Sequence, residues 1–72
     1  MKYEYNSTSL WCETDEEYNI LDNILINSDY KGHYEHTLST GTKVYNYEKR
    51  ATLKTKEIVY WITVFNRGNS NE

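Results

Sequence analysis

The segment Ile58 to Asn66 reads Ile-Val-Tyr-Trp-Ile-Thr-Val-Phe-Asn and is apolar at nearly every position. In an extended chain successive side chains point to opposite faces. Ile58, Tyr60, Ile62 and Val64 therefore load one side, and Val59, Trp61, Thr63 and Phe65 the other. A strand that is apolar on both sides belongs inside a sheet, with cover above and below. The chain has only 72 residues, 38% of them hydrophobic. A domain of that size buries only about 60% of the surface its unfolded form exposes. One short helix cannot shelter both faces of such a strand. The second face needs a curled sheet, a partner chain or a ligand.

One helix is legible. Thr14-Asp15-Glu16-Glu17 has the pattern of a capping box: the threonine hydroxyl accepts from the amide three residues on, and the glutamate reaches back to the Thr14 amide. Three acidic groups in the first turn suit the positive end of the helix dipole. Tyr18, Leu21, Ile24, Leu25 and Ser28 recur at helical spacing, and Ile20 and Ile26 widen the stripe. The spacing predicts a helix over 15–27, stopped by Asn27-Ser28-Asp29 and Lys31-Gly32.

The rest reads as strand. In 2–12, Tyr3 and Tyr5 alternate with polar residues and Leu10-Trp11-Cys12 closes the run; Asn6-Ser7-Thr8-Ser9 suggests a turn or bulge that splits it. In 33–40, Tyr34, His36 and Leu38 share one face, with His33, Glu35 and Thr37 on the other. Ser39-Thr40-Gly41-Thr42 is a turn. A long strand follows over 43–53, with Val44, Asn46, Glu48 and Arg50 opposed to Tyr45, Tyr47, Ala51 and Leu53. Lys54-Thr55-Lys56-Glu57 is a polar turn before the last strand. The expectation is an α+β, two-layer domain: one helix packed on a mainly antiparallel four-stranded sheet, in the order β-α-β-β-β. Residues 1–66 form that single domain, and 67–72 a frayed polar tail.

Net charge is −3, against the basic balance of a general DNA-coating protein. Residues 1–36 carry a net −6 and residues 37–72 a net +3, so the halves either pair in the fold or present two faces. The single cysteine, Cys12, excludes an intrachain disulfide. Met1-Lys2-Tyr3-Glu4-Tyr5 lacks the apolar run of a signal peptide, and no stretch has the length of a membrane span. A cytoplasmic protein with no membrane partner is expected.

Catalytic patterns are weak. His33 and His36, three apart on a strand, point to opposite faces and do not converge on a metal. His36 with Cys12 would need the first and second strands to be neighbours. A His33, Glu35 and Lys43 triple has no distinguishing spacing. Cys12 lies beside Glu13, whose charge disfavours a thiolate. No phosphate-cradling glycine loop is present. No catalytic residue, metal or cofactor is expected, and the chain is read as a non-enzyme.

The aromatic set carries more. Eight of the 72 residues are Tyr and two are Trp, types that offer large rigid contact area at low entropy cost and are enriched in binding hot spots. Tyr34, Tyr45, Tyr47, Tyr60 and Trp61 are the contact candidates, with Lys49 and Arg50 as rim charges that steer encounter. The expected function is a small protein-binding module, in the manner of phage- or mobile-element-type inhibitors or modulators of a host protein, with self-association into a homo-oligomer as a further expectation. The alternative is a single-stranded RNA or DNA-binding domain, in which the tyrosines stack bases beside Lys43, Lys49, Arg50, Lys54 and Lys56. A third reading makes Glu13, Asp15, Glu16, Glu17 and Asp22 phosphate mimics.

Overall fold

The computed structural model describes residues 2–68. Lys2–Cys12 forms β1, Asp15–Asn27 forms α1, Lys31–Thr37 β2, Lys43–Thr52 β3 and Lys56–Asn66 β4. The four strands make one sheet in the order β1-β4-β3-β2. The segment apolar on both sides is thus an interior strand, flanked by β1 and β3.

The sheet is mixed, not mainly antiparallel as expected: β4 runs antiparallel to β3 and β3 to β2, but β1 and β4 are parallel. Chain direction forces this. Crossing through α1 returns the chain to run β2 in the sense of β1. Two reversals, β2 to β3 and β3 to β4, restore that sense, so β4 beside β1 can only pair parallel.

The helix forms where the sequence signals it. Thr14 is extended (φ −136°, ψ 160°) and its Oγ1 accepts from the Glu17 amide at 3.1 Å. Glu17 reaches back one residue further than expected, accepting from the Glu13 amide at 2.7 Å. At the other end Asp29 takes a left-handed φ of 72°, which Asp tolerates. That bend lets the Tyr30 amide donate to the Leu25 carbonyl at 3.0 Å.

Leu25 is buried, and Tyr18 and Leu21 pack with it against Cys12, Tyr47 and Val64. Ile24, expected on the apolar stripe, is 56% exposed, as are Ile20 at 57% and Ile26 at 48%. The stripe that meets the sheet is the narrower Tyr18–Leu21–Leu25 line.

Tyr47, 1% exposed, ties helix to sheet. Its hydroxyl donates to Asp22 Oδ1 at 2.8 Å and shares a 2.6 Å hydrogen bond with the Tyr18 hydroxyl. Gly32 stands opposite it in register, and the tyrosine ring occupies the space a Cβ there would fill. Asn66, also 1% exposed, donates from Nδ2 to Asp15 Oδ1 at 2.9 Å.

Several boundaries differ from expectation. β1 is one unbroken strand in continuous register with β4 from Lys2 to Cys12, so Asn6–Ser9 is neither turn nor bulge. β2 starts two residues early and stops at Thr37, and β4 begins at Lys56 inside the expected turn. Pairing to a neighbour decided each case. Arg67 is not frayed: its amide donates to the Cys12 carbonyl at 3.0 Å, and its guanidinium lies 3.3 Å from Glu13. Residues 69–72 of the expected tail lie outside the described residues.

Candidate functional site: the open face of the sheet

Register sorts the side chains into two faces. Cys12, Val64 and Tyr47 lie toward α1. The alternate positions form an open face: Tyr3, Tyr5, Ser7, Ser9 and Trp11 of β1 stand beside Glu57, Val59, Trp61, Thr63 and Phe65 of β4. Arg50, Glu48, Asn46 and Val44 of β3 continue the last four of these rows.

Two aromatic clusters dominate this face. Tyr5 stacks on Trp61 with centroids 5.2 Å apart, and Trp11 on Phe65 at 4.3 Å. Tyr3, Tyr5 and Trp11 are each more than half exposed, and Trp61 is 42% exposed. Beneath them Val59 and Val44 are buried at 1% and 5%. The open face thus sets the aromatics of β1 and β4 beside the buried Val59 and Val44 and leaves Tyr5, Trp11 and Trp61 facing solvent. Between the clusters Ser7, Asn46 and Thr63 line a hollow of about 330 Å³.

The charges of this face are largely paired among themselves. Arg50 Nε sits 2.9 Å from Glu48 and its Nη1 3.7 Å from Glu57. Glu35 accepts from Asn46 at 2.7 Å and lies 3.4 Å from His33. Thr63 donates to Asn46 Oδ1 at 2.9 Å. Arg67 lies over the Trp11 ring, 4.8 Å from its centroid, a cation–π contact. Across the two halves of the chain, Lys56 pairs with Glu4 at 2.9 Å and Arg67 with Glu13.

The structure divides the expected contact residues. Only Trp61 and Arg50 occupy the open face. Tyr45, Tyr47, Lys49 and Tyr60 belong to the rows on the helix side. Tyr45 stacks on Tyr18 at 4.2 Å and meets Tyr34 edge-on at 5.6 Å. Tyr47 is core and cannot serve as a surface contact. Lys49 Nζ lies 5.6 Å from the Tyr30 ring, and Tyr34 is 54% exposed. Sequence reasoning missed Tyr3, Tyr5, Trp11 and Phe65. Their shared parity was visible within each strand, but parallel pairing was needed to unite them.

The nucleic-acid pattern is also divided. Lys43, Lys49 and Lys56 pair into helix-side rows, away from Tyr3, Tyr5 and Trp61. The acidic helix start is engaged internally: Asp15, Glu17 and Asp22 accept hydrogen bonds from Asn66, Glu13 and Tyr47.

The histidines correct a geometric expectation. A register shift between Tyr34 and His36 pairs His33 with Asn46 and His36 with Val44, both open-face residues. The bulge at Glu35 breaks the alternation that was to separate them. Among the described residues no group of three His, Cys, Asp or Glu is placed to hold a metal. Lys43 belongs to the opposite face from His33, so that triple is not assembled. Cys12 and His36 lie on the two outermost strands. Burial first, then Glu17, Glu13 and Asp15, push the Cys12 thiol pKa up.

No helix among the described residues is long and apolar enough to cross a membrane. Comparison with protein-family models, with curated proteins and with solved structures finds no match to the chain.

Proposed function

We propose that this chain is a non-enzymatic two-layer α+β module that binds a protein partner through the open face of its sheet. One observation carries the reading: four aromatics, Tyr3, Tyr5, Trp11 and Trp61, stand 42–58% exposed on one side of one sheet. Tyr5 and Trp61 stack on each other and Trp11 stacks on Phe65, all on paired strands. Rigid aromatics lose little entropy on contact and are the side chains around which binding hot spots form. The matching partner surface is mainly apolar, because Arg50 is already shared between Glu48 and Glu57 and Arg67 is beside Glu13. The same pairing weighs against nucleic acid, whose affinity comes mainly from unpaired cations on phosphates. Inhibition or modulation of a host protein is the proposed consequence of such binding.

The test is an affinity capture from a native host extract with three baits: wild type, Trp61→Ala and Tyr34→Ala. A protein held by wild type and Tyr34→Ala, but at least tenfold weaker on a folded Trp61→Ala, supports the open face. Equal retention on all three baits refutes it. A gel shift with short single-stranded oligonucleotides at two salt concentrations addresses the other class. A salt-sensitive shift at micromolar protein would replace the protein-binding reading.

A further inference from the structure

We propose that the outer edge of β1 pairs antiparallel with β1 of a second copy of this chain, about a two-fold axis at Ser7, joining two four-stranded sheets into one. The evidence is the backbone of β1 and is independent of what binds the open face.

β1 ends the sheet order, so among the described residues no strand lies along the outer side of its backbone. The Lys2 amide donates to the Thr55 carbonyl, and the Cys12 carbonyl accepts from the Arg67 amide. Both bonds lie on the β4 side. Backbone polar groups alternate sides along a strand, so the even-numbered residues serve β4. Tyr3, Tyr5, Ser7, Ser9 and Trp11 turn their N–H and C=O groups outward. An edge of this length is normally blunted by charge, proline or a bulge. Here Tyr5 to Cys12 carries no charge and no proline, and its register is unbroken.

The edge is also self-complementary. A two-fold axis at Ser7 sets Ser7 against Ser7, Tyr5 against Ser9 and Tyr3 against Trp11. Every outward residue then meets an outward residue, each pair exchanging two hydrogen bonds. No like charges face one another, since Glu4 falls opposite Leu10 and Lys2 opposite Cys12. Tyr3 of one copy comes beside Trp11 of the other on the open face, so the aromatic clusters of the two copies run on into each other. Small Ser7 at the axis and large aromatics at the ends suit this pairing.

Light scattering and amide hydrogen exchange test it on the full chain. The expected particle mass is twice the 8.6 kDa of one chain. The amides of Tyr3, Tyr5, Ser7, Ser9 and Trp11 should gain protection as concentration rises, while those of Glu4, Asn6, Thr8 and Leu10 stay protected throughout. Ser7→Lys and Ser7→Glu set like charges against each other and should each weaken the dimer roughly fivefold. Mixing the two should restore it, and Trp61→Ala should leave it intact. A particle of one chain mass throughout the micromolar range overturns the proposal. So does a dimer whose odd-numbered β1 amides exchange freely, or one that both Ser7 variants leave unweakened.

Discussion

Gly32→Ala measures how firmly Tyr47 is held. Gly32 and Tyr47 are register partners across β2 and β3. A Cβ on Gly32 would lie 2.5 Å from Tyr47 Cδ2 and 3.0 Å from Cζ, well inside contact distance. The ring has no free direction of retreat: its hydroxyl is bound to Asp22 and Tyr18, and it packs with Leu25, Val64 and Cys12. Overpacking of this kind costs about 1–3 kcal/mol. Displacing the hydroxyl from the Asp22 carboxylate costs about 1.5–3 kcal/mol more. Removing glycine stiffens the unfolded chain and returns only about 0.4–1 kcal/mol. The net expectation is a loss of about 1.5–5.5 kcal/mol, read by urea denaturation with an unchanged m-value. For a chain this short that lowers Tm by at least about 6 °C. In a Tyr47→Leu background the ring is gone, and the same substitution should cost less than about 0.5 kcal/mol. A Gly32→Ala protein within about 0.5 kcal/mol of wild type, or an equal cost in both backgrounds, would refute the reasoning.

Three further outcomes are expected. Burial, then the bonds to Tyr18 and Asp22, raise the Tyr47 pKa well above 10.0. The unfolded phenol ionises near 10. Above that pH the unfolded state holds fewer protons, so Tyr47 stabilises fully below pH ~10 and its contribution falls by up to about 1.4 kcal/mol per pH unit beyond it. Tyr47→Phe should flatten this alkaline slope relative to wild type; identical slopes would remove Tyr47 as the cause. Cys12, 4% exposed and with a raised pKa, should react with a thiol reagent only as fast as the protein opens; labelling at the rate of a free thiol in native buffer would contradict its burial. Asn66→Ala strips the bonds to Asp15 and to the Gly68 amide and should destabilise by about 1–3 kcal/mol in thermal melts, whereas a neutral result would deny that link.

Local chemistry was legible wherever neighbours in sequence are neighbours in space. The Thr14–Glu17 cap, the helix limits and the Gly41 turn, with its φ of 93°, all lie within a few residues of their partners. Face assignments in β3 and β4 followed from alternation alone. The strand paired on both sides by β1 and β3 was marked by its own apolar run. The reading failed where a second strand decides. Tyr47 looked like a contact residue because it is aromatic and lies among cations, but nothing in one strand says which face a helix will cover. The Glu35 bulge moved His36 across the sheet, and no residue type within β2 announces it.

The sequence by itself determined the elements, their order and an excess of apolar surface on the last strand, because hydrophobic period and capping are written over a few residues. Tertiary structure alone decided which tyrosines are buried and which are displayed. It also made β1 a parallel edge strand and brought Tyr3, Tyr5 and Trp11 beside Trp61 and Phe65. Those outcomes depend on pairings between residues more than fifty positions apart in the chain, and strand register between distant segments is set by packing the whole sheet at once.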